Sequence, residues 1–224
     1  MEKKVARPSS LQKQSLRAGF HRRGYLPHLK SEGATYFVTF RLAGTLPQSV
    51  LDHLEQQRQQ QEEVLRRRFG FGEMATAEKR KLDERFSAMV DEYLDAGSGD
   101  CWLQDPLIAA LVSKTFRCFN GTRYRLHAFV IMPNHVHVLV TPWAAHTLSS
   151  ILHSWKSFTA NEGNKWLDRG GEVFWQRESY DHLVRDEEDY WRIWDYIRMN
   201  PVKAGLCKQP QEWPYLWLES AGPK

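Results

Sequence analysis

Two apolar runs, "YRLHAFVIM" (residues 124–132) and "HVHVLVTP" (residues 135–142), have only Pro133 and Asn134 between them. Both are rich in β-branched and aromatic residues. A two-residue connection turns the chain straight back on itself, so the pair predicts a tight β-hairpin. A hairpin alone is marginal in water and needs further strands and a covering layer. "ATYFVTFRLAG" (residues 34–44) predicts another strand, and "GEVFWQRESYDHLVR" a short strand followed by a loop.

Helices fill the gaps. "DPLIAALVSKTFRCF" has Asp105 as N-cap and Pro106 at the first helical position, with Gly121 closing it. "TLSSILHSWKSFTANEGNK" opens at Thr147 or Ser149 and ends near Gly163. "DEEDYWRIWDYIRMN" carries four acidic residues at its positive end and stops at Pro201. Strand, helices, strand, strand, helix, strand, helix is the order of the split βαβ arrangement. The expected class is therefore α+β: a ferredoxin-like antiparallel sheet with helices packed on one face.

Residues 48–96 differ in texture. They are rich in Gln, Glu, Arg and Lys. Leu51, Leu54, Val64 and Leu65, then Leu82, Phe86, Met89, Val90 and Tyr93, recur at helical spacing on either side of a Gly-containing break. This predicts a helical hairpin inserted at 46–98. The expected plan is a basic arm at 1–30, one catalytic domain at 31–217 holding the insertion, and a tail at 218–224.

The net charge of +4 is mild. It permits a polyanionic partner without demanding one. Its distribution is less even: Arg22, Arg23 and Lys30 flank Tyr25 in a strongly basic first stretch. Cations beside an aromatic ring suit a nucleic-acid backbone with stackable bases, and equally a solvated arm. Three scattered cysteines form no CxxC pair, which argues against a disulfide framework or zinc knuckle and for a reducing cytoplasm. No apolar stretch is long enough for a signal peptide or a membrane span, so no membrane partner is expected.

Alternation on a strand puts His135 and His137 on one face and Val136, Val138 and Val140 on the other. With the valines toward the helices, the imidazoles belong on the open face, about 6–7 Å apart along the chain. There they can converge on one metal ion, or simply be polar residues on a solvated surface. Two neutral imidazoles leave a divalent ion its full charge for an anionic substrate. Such a site calls for another oxygen ligand and a nucleophile.

The last helix offers both. Tyr196 and Asn200 are four residues apart and share a face, with Arg192 one turn back. A phenol is a poor nucleophile near neutral pH, but a nearby cation favours the phenolate. Tyr196 also fits the apolar stripe of Tyr190, Ile193, Trp194 and Ile197. Tyr180 is the rival nucleophile, with His182 two residues on as a supporting partner of the site, as Arg192 would be, or as a structural histidine.

"ATYFVTFRL", "HAFVIMPNHVHVLV", "FWQRESYDHLVRDEEDYWRIWDYIRMNPVKAGL" and "EWPYLW", in that order, resemble the REP-associated tyrosine transposases, relatives of the single-strand transposases within the HUH endonuclease superfamily. The resemblance covers 25–45 and 100–217. It implies a ferredoxin-like sheet, His135, His137 and Asn200 around Mg²⁺ or Mn²⁺, and Tyr196 as nucleophile. The implied reaction cleaves and rejoins single-stranded DNA beside hairpins through a 5′-phosphotyrosine, with no other cofactor, in the cytoplasm at the nucleoid. Monomer and homodimer are both compatible with it. The insertion departs from the minimal pattern, and could clasp DNA, contact a second subunit or decorate the surface. For DNA contacts the expected residues are Arg22, Arg23, Tyr25 and Lys30, then Arg117 and Arg123, with Trp143 as a stacking surface. Two other readings stand beside this one: a hairpin-binding module without cleavage, and an unrelated metallohydrolase with an acidic ligand such as Asp181.

Overall fold

A computed structural model describes residues 19–23, 26–30, 33–70, 73–97 and 99–219. Its centre is a five-stranded sheet in the order β6-β3-β5-β4-β7, antiparallel throughout. The strands are β3 (Tyr36–Arg41), β4 (Tyr124–Ile131), β5 (His135–Pro142), β6 (Tyr180–Leu183) and β7 (Leu216–Leu218). Without β7, this is the expected ferredoxin-like order. β4 and β5 form the hairpin around Pro133 and Asn134, with Ile131 opposite Val136. A separate ribbon pairs β1 (Gly19–Arg23) with β2 (Leu26–Lys30), inside the stretch expected to be an arm. Arg22, Arg23 and Lys30 are placed only as backbone positions of that ribbon, and Tyr25 lies outside the described residues.

Three helices pack on the sheet: α3 (Pro106–Cys118), α4 (Leu148–Trp166) and α5 (Glu187–Lys203). Each starts on a polar cap. Asp105 accepts from the amides of Leu107 and Ile108, Thr147 from Ser150, and Asp186 from Asp189. Helix α4 runs past Gly163. That glycine serves packing, since a Cβ there would meet Phe174 Cε2 at 2.8 Å. Helix α5 likewise continues through Pro201 to Lys203.

The two faces of the sheet are both covered, contrary to the expectation of helices on one face. Val136, Val138 and Val140 join Val38, Phe40 and Phe129 against Phe116 of α3 and Trp155 of α4. On the reverse side, Phe37, Ala128, Val130 and Leu139 pack against Tyr190, Ile193 and Ile197 of α5. The reason is legible in the strands: their second face is itself apolar, as in sheets sandwiched between layers. Strand β7 continues through Leu218, and Glu219 pairs with Arg125 at 3.1 Å, so the sheet edge extends past residue 217.

The insertion is a hairpin of α1 (Gln48–Phe69) and α2 (Glu73–Asp95). Leu54, Leu82 and Leu94 are buried within it or beneath it. Its exit lies against its entry. Gly99, at φ +75°, approaches Gly44 so closely that a Cβ would stand 2.4 Å from the Gly44 carbonyl oxygen. Only glycine tolerates both the positive φ and that approach.

Candidate active site

Cross-strand register sets the site. His137 lies opposite Thr39 and His135 opposite Arg41, all on the face covered by α5. The histidines do share a face, but not an open one: both are fully buried. Their Nε2 atoms face each other at 3.0 Å.

Each Nδ1 has its own partner. Asn134 donates Nδ2–H to the Leu94 carbonyl at 3.0 Å, which turns its Oδ1 toward His135 Nδ1 at 2.7 Å. His135 Nδ1 therefore carries the proton, and its Nε2 presents a lone pair. His137 Nδ1 meets Thr39 Oγ1 at 2.7 Å. A hydroxyl can donate or accept, so His137 can change tautomer without losing that bond. Burial drives His135 down to about 3, and burial plus the His135 ring drive His137 well below its ordinary value. Both rings are neutral near pH 7, the form that binds a metal.

Tyr196 covers the pair. Its ring centroid is 5.2 Å from that of His137 and 5.8 Å from Phe37, which itself stacks on His137. The i,i+4 spacing brings Asn200 to the same side, fully buried, with no hydrogen-bond partner for its Oδ1. Helix α5 docks on its own sheet, so one chain holds both halves of the site. Tyr180 lies edge-on to Phe37 at 6.5 Å.

Two carboxylates come from the insertion. Tyr196 donates its hydroxyl to Asp91 Oδ2 at 2.6 Å. Asp95 Oδ1 is 3.8 Å from His135 Nε2 and, like Asn200 Oδ1, is buried with no hydrogen bond. Burial pushes Asp91 up to about 7 and Asp95 up to about 6. Burial, then the adjacent Asp91, push the Tyr196 phenol above its ordinary value. Lys203 Nζ lies 5.4 Å from the centroid of its ring.

These donors suit a divalent cation. Two neutral imidazole nitrogens converge, and two buried oxygens beside them lack any hydrogen-bonded partner, an arrangement costly to leave unfilled. The hydrogen-bonded Nδ1 atoms supply the outer support that ligating imidazoles ordinarily have. Among the described residues, however, no three His, Cys, Asp or Glu side chains group closely enough to form a metal site by themselves. The amide of Asn200 is thus part of the donor set on which the fit depends.

Other expected residues lie elsewhere. His182 and Arg192 both bind Asp189, at 2.7 and 2.5 Å, in the first turn of α5. The half-buried Asp189 carboxylate, hydrogen-bonded to both, holds them there. Asp181 is opposite Val38, hence on the face away from the histidines, which removes it as their ligand. Arg117 ends α3, and Arg123 lies over the Phe119 ring at 3.6 Å. Arg123 and Trp143 sit at the far end of the sheet, about 20 Å from His137 by strand rise.

Sequence reasoning missed Asp91, Asp95 and Arg41. Arg41 is half-buried, and burial lowers it to about 10; its hydrogen bond to Thr45 Oγ1 is 3.5 Å long. No carboxylate pairs with it among the described residues. A signal for Asp95 existed. It ends α2 with no basic residue in the last turn, an unfavourable place for negative charge.

The site thus sets paired imidazoles on a ferredoxin-like sheet against a tyrosine four residues before an asparagine. Residues 103–200 match the model of the IS200-like transposase family. The chain is similar to the REP-associated tyrosine transposase of Escherichia coli K12. The two are 34% identical over 97 residues, which cover 41% of this chain and 53% of that protein. An uncharacterized Haemophilus influenzae protein is 29% identical over 102 residues, covering 35% of this chain and 54% of its own length. The chain thus spans about half the length of the curated relatives it matches. A solved REP-associated tyrosine transposase bound to a REP hairpin aligns over 88% of this chain and 80% of that one, with a TM-score of 0.47 and 20% identity.

Proposed function

We propose that the protein is a metal-dependent single-stranded DNA endonuclease and strand transferase that acts at REP-type hairpins through a 5′-phosphotyrosine on Tyr196. The observation that carries this reading is the Tyr196 ring over His137, 5.2 Å between centroids, with Asn200 on the same helical face. His135, His137 and Asn200 would hold Mg²⁺ or Mn²⁺, and Asp95 is a further oxygen within reach of that group. The ion would supply Lewis-acid polarisation of the scissile phosphate. These oxygen-assisted, thiolate-free donors favour a hard cation.

The chain's own residues do the rest. Asn134 and Thr39 fix the two rings so that their Nε2 atoms point into one space. Tyr196 attacks phosphorus, the bond to the 3′ oxygen breaks, and a later 3′-hydroxyl reverses the exchange, so no nucleotide cofactor is consumed. Arg41, opposite His135 in register and with no carboxylate partner among the described residues, would meet a phosphate of the entering strand. Arg123 and Trp143 would contact DNA about 20 Å away, a distance that a folded hairpin bridges. Since α5 docks on its own sheet, a monomer suffices for the site. Among the described residues no helix is long and apolar enough to cross a membrane, and a nucleoid location follows from the DNA substrate.

The test is a labelled pool of single-stranded hairpins with randomised stems and flanks, incubated with Mn²⁺ and resolved on a denaturing gel. A covalent protein–DNA adduct that is lost in Tyr196→Phe, lost with chelator and kept in Tyr180→Phe is expected. Binding without any adduct would make the protein a hairpin-binding module instead.

A further inference from the structure

We propose that Asp91, on helix α2 of the inserted hairpin, is the proton acceptor for the Tyr196 hydroxyl, so that the insertion completes the active site. This rests on the reading of Tyr196 as nucleophile and adds a catalytic group from outside the segment that matches the family model.

Three observations converge on it. The Tyr196 hydroxyl donates to Asp91 Oδ2 at 2.6 Å, across 105 positions of sequence. Asp91 is 6% exposed, and no basic side chain forms an ion pair with it among the described residues. A buried carboxylate without a cation is a poor stabilising device, so its position beside a reacting oxygen points to use there. The helix end that carries it is fixed: Leu94 is buried, and its carbonyl accepts from Asn134, the residue that also holds His135. The nucleophile, its acceptor and the imidazole pair are therefore tied into one hydrogen-bonded unit spanning the insertion and the sheet. With Gly99 packed on Gly44 at the base, the hairpin is anchored at both its ends.

The step balances. The Tyr196 O–H bond breaks and the proton passes to Asp91 Oδ2. The phenolic oxygen bonds to phosphorus as the phosphorus–O3′ bond breaks. The departing 3′ oxygen takes a proton from water, and the Asp91 acid releases its proton to solvent, so Asp91 is again ionised. One phosphodiester is exchanged for another and nothing is oxidised or reduced.

The experiment uses the full chain with Mn²⁺ and the hairpin pool described above, under single-turnover conditions. Asp91→Asn keeps the shape and can still accept the phenol hydrogen bond through Oδ1, but it cannot take the proton. The expected result is adduct formation slowed by roughly 10²- to 10⁴-fold. DNA affinity and the Mn²⁺-induced rise in melting temperature should be unchanged, and Asp91→Glu should recover part of the rate. A rate within about threefold of the parent, or a faster one, overturns the proposal; the latter would make Asp91 a restraint on Tyr196. A slowed rate matched by equal losses of DNA binding and melting temperature also overturns it, since Asp91 would then only hold the hairpin in place. If the parent protein itself gives no adduct, the nuclease reading fails first and takes this inference with it.

Discussion

Asn134 donates its side-chain amide to the carbonyl of Leu94 at 3.0 Å, forty residues earlier in the chain. One side chain in a two-residue turn thereby joins the inserted hairpin to His135. Removing it leaves the His135 N–H without a partner, while the Leu94 carbonyl keeps only the Gly97 amide. For Asn134→Ala we expect a loss of about 1–3 kcal/mol in unfolding free energy and Mn²⁺ affinity weaker by roughly 10- to 100-fold. Chemical denaturation and metal titration measure the two effects. Unaltered metal affinity would show that ring orientation does not depend on this turn.

Asn200 gives two opposite signatures. Its buried Oδ1 has no hydrogen-bond partner among the described residues. Asn200→Leu should leave metal-free stability unchanged or raise it, because an unsatisfied buried acceptor costs about 1–3 kcal/mol. The same change should shrink the Mn²⁺-induced rise in melting temperature, since a ligand stabilises only the state that binds it. Thermal melts with and without Mn²⁺ decide the matter; an undiminished rise rules Asn200 out as a ligand.

Arg41 should matter for DNA and not for folding. Burial depresses it to about 10 and no carboxylate offsets its charge among the described residues. Arg41→Met is expected to keep or improve stability, because a desolvated charge is removed. Single-stranded DNA affinity should fall, with the slope of log K against log salt smaller by about 0.7, one phosphate contact. Fluorescence anisotropy across a salt series tests this, and an unaltered slope excludes the contact.

His127 lies away from the site, on the β4 bulge, with Nε2 2.7 Å from Thr141 Oγ1. Burial lowers it to about 4, against an ordinary value near 6.5. Above pH 6.5 it is neutral whether folded or unfolded, and its contribution is intact. As pH falls from 6.5 toward 4, the unfolded chain takes a proton that the folded one refuses, so stability is lost, at most about 1.4 kcal/mol per pH unit. His127→Gln should remove that part of the acid sensitivity. Urea denaturation at pH 7 and pH 5 should show the parent losing ground to the variant; equal losses would contradict the assignment.

Much of the fold was legible locally. The Pro133–Asn134 turn, the capping residues Asp105 and Thr147, and the texture of residues 48–96 fixed the elements, because caps, turns and periodicity act over a few residues. Where local signals misled, tertiary packing had overridden them. Gly163 read as a stop but is a contact point for Phe174. Pro201 read as a stop but falls within the last turn of α5.

The sequence by itself determined the period-2 placement of His135 and His137 on one face and the i,i+4 placement of Tyr196 and Asn200, since both follow from backbone geometry alone. Only the tertiary structure decided that these two pairs meet, that the face they share is buried, and that Asp91 and Asp95 join them. Those carboxylates lie some hundred positions from Tyr196 along the chain. No local periodicity reports where the end of an inserted helix will dock. That depends on the burial of Leu94, the bond to Asn134 and the close approach of Gly99 to Gly44, contacts that exist only once the chain has folded.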